Sequence, residues 1–166
     1  IEKSSAASTA IIGKPLLAYY GYHYLGVDAE TGKYQFADKN GNPTFSPKDP
    51  DDKTVIIDAS DKFYGGLVNT FSFKEFQLDF LFSFVSKTAI NDLNFGNAAA
   101  PGKYYSGTNN QLASVLNNSL QKTGDISSIQ RFTTGSDLDQ SFVDVYQSDA
   151  ARTDASYIRL KNVSFS

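Results

Sequence analysis

The sequence predicts an all-β fold of antiparallel strands and hairpins, and three observations carry that prediction. Residues 63–85, FYGGLVNTFSFKEFQLDFLFSFV, alternate large apolar with small or polar side chains at period 2, the period of a strand. Residues 16–28, LLAYYGYHYLGVD, alternate in the same way and are rich in aromatic groups that suit a pleated surface. No apolar run approaches the roughly 18–20 residues of a membrane-spanning helix.

The first of these stretches organises the rest. Phe76, Leu78, Phe80, Phe82 and Phe84 share one face, while Gln77, Asp79, Leu81, Ser83 and Val85 share the other. The preceding arm repeats the pattern more weakly, with Leu67, Phe71 and Phe73 on one face and Asn69 interrupting it. Only Lys74-Glu75 lies between the arms, which leaves room for one tight turn and predicts an antiparallel hairpin. Its arms, about ten residues each, exceed the usual five or six of a soluble strand. They approach the roughly 9–11 residues with which a tilted strand crosses a bilayer. An apolar face backed by a polar one fits a transmembrane barrel. It also fits one hairpin of a soluble sandwich, and the pattern alone leaves both open.

Composition narrows the function classes. The chain has 166 residues, enough for one domain with a sizeable core. Its 15 basic and 18 acidic side chains lack the basic excess that phosphate binding needs, which argues against a nucleic-acid partner. Cysteine is absent, so there is neither a disulfide framework nor a thiolate metal site. Methionine is absent too and no leader is present, so a processed or excised piece of a longer chain is expected. Aromatic residues make up 14%, all Phe and Tyr, a mixture that with abundant Asn, Ser, Thr and Gln suits strands joined by long wet loops.

In chain order, residues 1–9 read as a polar lead-in, and Gly13-Lys14-Pro15 as a turn. Residues 16–28 read as one strand with Tyr20, Tyr22 and Tyr24 on one face. Such a row can pack across strands, sit at a membrane interface, or offer a platform to a sugar ligand. His23, the single histidine, has no local partners with the spacing of a metal site or a catalytic triad. After a turn at 30–33 comes a short strand at 34–37, then the turn-rich loop 38–53. There Asp38, Asn40 and Asn42 fall at the first, third and fifth positions of a calcium loop, but Pro43 stands where glycine should turn the chain. A solvated loop is expected instead, with no metal and no cofactor. Residues 54–58, TVIID, read as a strand.

Residues 86–156 are long, polar and rich in Asn, Ser and Gly, unusual inside a compact soluble domain but ordinary for an outer loop of a membrane barrel. Within them Leu112, Val115, Leu116, Ser119 and Leu120 follow helical spacing, with Asn109 or Asn110 as the expected cap and Gly124 as the stop. Residues 157–166 return to strand, although Ile158 and Leu160 fall out of phase with Val163 and Phe165. That slip predicts a bulge or a change of environment.

Four stretches in order, 13–32, 52–84, 115–133 and 148–166, resemble the C-terminal part of SusC/RagA-type TonB-linked outer-membrane transporters. The most specific are KFYGG…NTFSFKEFQLD and DASYIRLKNVSFS. The resemblance implies a piece of a 22-stranded barrel in the outer membrane of a Gram-negative cell, importing glycan or peptide oligomers. It implies as partners the rest of the barrel and its plug, TonB acting through that plug, a SusD-like surface lipoprotein, the cargo and membrane lipid. On this reading Phe76, Leu78, Phe80, Phe82 and Phe84 face lipid, 63–85 forms two wall strands, 86–156 an extracellular loop region carrying a short helix, and 157–166 a truncated strand. The family's plug and TonB box have no counterpart in these residues, and DKNGNP departs from the acidic loop of some members.

Two other classes stand beside this one. A soluble carbohydrate-binding β-sandwich would use Tyr20, Tyr22 and Tyr24 as its ligand platform. A glycoside hydrolase would pair carboxylates drawn from Asp58, Asp61, Glu75 and Asp79, but Glu75 sits in a turn and such acids are ordinarily solvated. No catalytic residue is assigned, and the chain is not read as an enzyme.

Overall fold

The computed structural model describes residues 10–91, 101–102 and 112–166. Its architecture is mostly antiparallel β-sheet with few helices. The chain divides into two compact units. One comprises residues up to 18, 58–89 and 153–166; the other comprises 19–57 and 90–152.

The first unit is built on two long strands, β6 (Asp61–Phe73) and β7 (Phe76–Ile90). They pair antiparallel in register from Phe73↔Phe76 at the turn to Asp61↔Lys87 at the far end. The predicted hairpin is present, with arms of 13 and 15 residues, longer than the sequence pattern alone indicates. Lys74 turns the chain with φ 55°, a left-handed conformation for which a first turn position normally takes glycine. On its other side β7 pairs with β9 (Tyr157–Phe165), and the short β8 (Arg152–Asp154) belongs to the same sheet.

The predicted slip in β9 is a bulge. Leu81 pairs with Asn162 and Phe82 with Leu160, so Lys161 is the extra residue. The ladder absorbs it, and Ile158, Leu160, Val163 and Phe165 all fall opposite the apolar positions of β7. A second bulge, at Lys62 of β6, sets Asp61 opposite Lys87.

The second unit has a closed core. Residues 16–28 do not form one strand. They form β1 (Ala18–Gly21) and β2 (His23–Val27), interrupted at Tyr22, which bridges in parallel to Ser148. β1 pairs with β5 (Val55–Asp58), and β2 pairs with β3 (Tyr34–Ala37), which pairs with β4 (Pro43–Thr44). Tyr22, Tyr34, Phe36 and Val145 form the buried cluster, with Tyr24, Val27, Phe142 and Ala150 against it.

Residues 86–156 therefore hold more structure than a loop. β7 runs on to Ile90, and among the described residues two helices follow, α1 (Ala113–Asn118) and α2 (Asp139–Tyr146), then a 3-10 turn at Asp149–Ala151. The sequence spacing anticipates α1, but Leu112 rather than an asparagine stands at its start, and Ser119 ends it before Gly124. Asn109 and Asn110, like the lead-in 1–9, lie outside the described residues. The helix α2 was not anticipated. It supplies Val145 to the core, and its Ser141 hydroxyl accepts the buried Tyr34 N–H at 3.1 Å.

Candidate functional site

The candidate site is the two-sided surface of the long sheet, and the register decides what each side carries. Opposite Phe76, Leu78, Phe80, Phe82 and Phe84 of β7 stand Phe73, Phe71, Asn69, Leu67 and Gly65 of β6. On the β9 side, Leu78, Phe80, Phe82 and Phe84 meet Phe165, Val163, Leu160 and Ile158. Because directly paired residues project to the same side, one face carries the apolar groups of all three strands. Asn69 is its one polar interruption among these β6 partners.

These side chains form a continuous surface. Phe71 lies 5.8 Å from Phe80, Phe80 5.4 Å from Phe82, and Phe76 stacks on Phe165 at 5.6 Å. The Phe84 ring lies directly over Gly65, where an added Cβ would come within 2.6 Å of it. A side chain at Gly65 would lift that ring, which explains a glycine in the middle of a strand. Near the far end, Phe63, Phe84, Ser86, Ser156 and Ile158 line a shallow depression of about 410 Å³.

The apolar face is uncovered among the described residues. No position of β6, β7 or β9 is buried, and Phe73, Ile158 and Phe165 are 71%, 77% and 68% exposed. Each large apolar side chain left in water forgoes up to about 1.5–3 kcal/mol of transfer free energy. A soluble sandwich would place a second layer here.

The reverse face is mixed. Towards the turn, Asp79 accepts from the Thr70 hydroxyl at 2.5 Å and from the Gln77 amide at 2.7 Å, and Ser164 stands opposite it. Further along come Asn162, Ser83 and Arg159, interleaved with Val68, Leu81 and Val85. At the far end Tyr157 lies between two cations, the Arg159 guanidinium at 4.9 Å and the Lys87 ammonium at 5.9 Å from its ring centre.

No family model, no curated protein and no solved structure matches the chain.

The other sequence candidates are placed as follows. Tyr20, Tyr22 and Tyr24 do not form a row. Tyr22 is buried, Tyr24 packs edge-on against Tyr34 at 5.7 Å, and Tyr20 is exposed in a different strand. Burial pushes the Tyr22 and Tyr24 hydroxyls up to about 12, with nearby Asp49 adding to the effect at Tyr22. Both stay protonated at neutral pH, and cross-strand packing is what they do. His23 Nδ1 meets Asp149 Oδ2 at 2.8 Å, while Asp149 Oδ1 accepts the Tyr24 N–H.

Asp38 turns its carboxylate onto its own loop. Its Oδ1 accepts from the Asn42 and Asn40 N–H groups, bonds that lower its pKa and engage one of its two oxygens. Among the described residues no group of three acidic or histidine side chains could hold a metal ion. Of the carboxylates weighed for hydrolysis, Asp58 caps the Ser60 N–H, Glu75 sits in the turn, and Asp79 is engaged by Thr70 and Gln77.

Sequence reasoning missed the contribution of β9 to the apolar face and the cations around Tyr157. The signal for the first was present in the phase slip at Asn162, which a bulge turns into a single stripe. The second depends on pairing residues about 70 positions apart, which no local pattern reveals.

Proposed function

We propose that the long sheet is a section of the wall of a TonB-dependent outer-membrane transporter of the SusC/RagA type, with its apolar face toward lipid. One observation carries the reading: three paired strands present one apolar face, bare among the described residues, and a mixed polar face behind it. From Phe76 to Phe84 the stripe covers about 26 Å of strand at ~3.3 Å per residue. The outward band of such barrels is about 25 Å tall, and tilt shortens the strand's rise across it. The tight turn at one end and the long connection from β7 to β8 at the other match short inner turns and long outer loops.

A sheet of four strands leaves open edges, which a bilayer does not tolerate. The proposal therefore includes neighbouring wall strands, a plug through which TonB acts, and a SusD-like lipoprotein at the outer mouth. Its cargo is glycan or peptide oligomers, carried into a Gram-negative cell.

These residues contain no tryptophan, so an indole introduced here is a single added probe, read as the difference from the unsubstituted barrel. Phe80→Trp and Leu81→Trp place that probe on opposite faces of β7. With the whole barrel reconstituted in vesicles containing brominated lipid, strong quenching of the added indole at position 80 and weak quenching at 81 is expected. Equal quenching at the two positions would sink the lipid assignment.

A further inference from the structure

The cations on the reverse face point to a ligand class. Tyr157, Arg159 and Lys87 meet there because Tyr157 pairs with Val85, Arg159 follows two positions along β9, and Lys87 lies two positions along β7. The ring holds a guanidinium and an ammonium by cation–π attraction at 4.9 and 5.9 Å. Two like charges held by one ring repel each other, and a bound anion removes that repulsion.

Neither cation is in an ion pair among the described residues. Asp61 stands opposite Lys87 in the ladder, yet among the described residues the two form no ion pair. Asp79 lies toward the turn and is taken by Thr70 and Gln77. Lys161, the bulge residue, adds a third cation to the same strand. Beyond Val85, on the other side of Tyr157, Tyr64 is 79% exposed. Its open ring offers a flat apolar surface about two strand spacings, ~10 Å, from Tyr157.

We propose that Arg159, Lys87 and Tyr64 form a binding site for acidic oligosaccharides, with Arg159 and Lys87 taking sugar carboxylates and Tyr64 stacking on an adjacent ring. Arg159 presents the fork that matches a carboxylate in two parallel bonds, and Lys87 adds a point charge. This site rests on the wall reading for its role, since only there does the reverse face line a cargo path.

The test is calorimetric titration of the whole barrel that contains this sheet, reconstituted in vesicles, with trigalacturonic acid and, separately, with neutral trigalactose. Binding of the acidic trisaccharide alone is expected, weakening as salt rises. Arg159→Gln should weaken it about ten-fold or more, and Lys87→Gln about three-fold. Arg159→Lys should restore part of the loss, which a merely structural role for Arg159 would not produce.

Equal affinity for the two trisaccharides, or no response to Arg159→Gln, overturns the site. Each variant also carries Phe80→Trp. A retained quenching signal with no acidic preference sinks this inference alone. Lost face-selective quenching with acidic preference intact sinks the wall reading and leaves the anion site standing.

Discussion

The two units are both rich in aromatic residues and use them in opposite ways. In the second unit Tyr22, Tyr34 and Phe36 are buried, and α2 supplies the second layer that covers them. In the first unit a larger set of phenylalanines lines one sheet face with no covering layer among the described residues. Alternation at period 2 is the same in both, so it reports a strand with two unlike sides and not the medium each side meets. What separates the units is the partner layer. A sheet with one apolar face requires one, whether protein or, on the proposed reading, lipid.

The largest expected effect tests the closed core. Phe36→Ala removes a fully buried ring and should cost about 3–5 kcal/mol in the second unit, measured by urea denaturation. Phe80→Ala in aqueous solution should cost less, about 1–2 kcal/mol, because its ring is half-buried and packs only against neighbours along the same face. Similar costs at the two positions would erase the contrast between the units.

Next comes the medium of the open face. In vesicles, Phe80→Arg should cost about 2–4 kcal/mol if the residue sits near the bilayer midplane, read from urea titration of the whole reconstituted barrel. The same change in this chain alone in buffer should cost only the lost packing on Phe71 and Phe82, about 1–2 kcal/mol. A cost near zero in vesicles contradicts a lipid-facing position.

Two smaller effects sharpen the picture. Asp144 is buried in α2, with Oδ1 accepting from Gln140 and its pKa raised chiefly by loss of water. Its folded pKa lies above the unfolded value. Its contribution is thus most favourable below the ordinary carboxylate range and is lost as pH rises through the folded pKa. Asp144→Asn should therefore stabilise the second unit at pH 7 by up to about 1 kcal/mol, with the gain vanishing in acid. A gain independent of pH would count against the charge as its cause. Lys74→Gly relieves the left-handed backbone at φ 55° and should stabilise the hairpin by about 0.5–1 kcal/mol, seen as slower amide exchange beside the turn.

Legibility in the sequence followed the range of the interactions. The hairpin could be read because Phe76 to Phe84 repeat without error and Lys74-Glu75 leaves no other turn. The β9 bulge could be anticipated because one residue too many between Leu160 and Val163 breaks the phase. The interruption at Tyr22 could not be read, since it comes from hydrogen bonds to Gln147 and Asp149, more than 100 residues away. The helix α2 escaped notice because its apolar residues, Leu138 at the cap and then Phe142 and Val145, make a thin stripe among polar neighbours with no capping side chain. For the same reason 86–156 reads as loop, although its last third closes the core around Tyr34.

The bulge at Lys161 also sets which lengths of this segment are interchangeable. Excising Lys161 would join Leu160 to Asn162 with the phase intact, leaving every other side chain of β9 on its present side. Excising Leu160 or Asn162 offers the ladder no such shortcut unless Lys161 takes the vacant place. The strand therefore contains one dispensable codon, and related chains that differ in length here by a single residue would still present the same two surfaces.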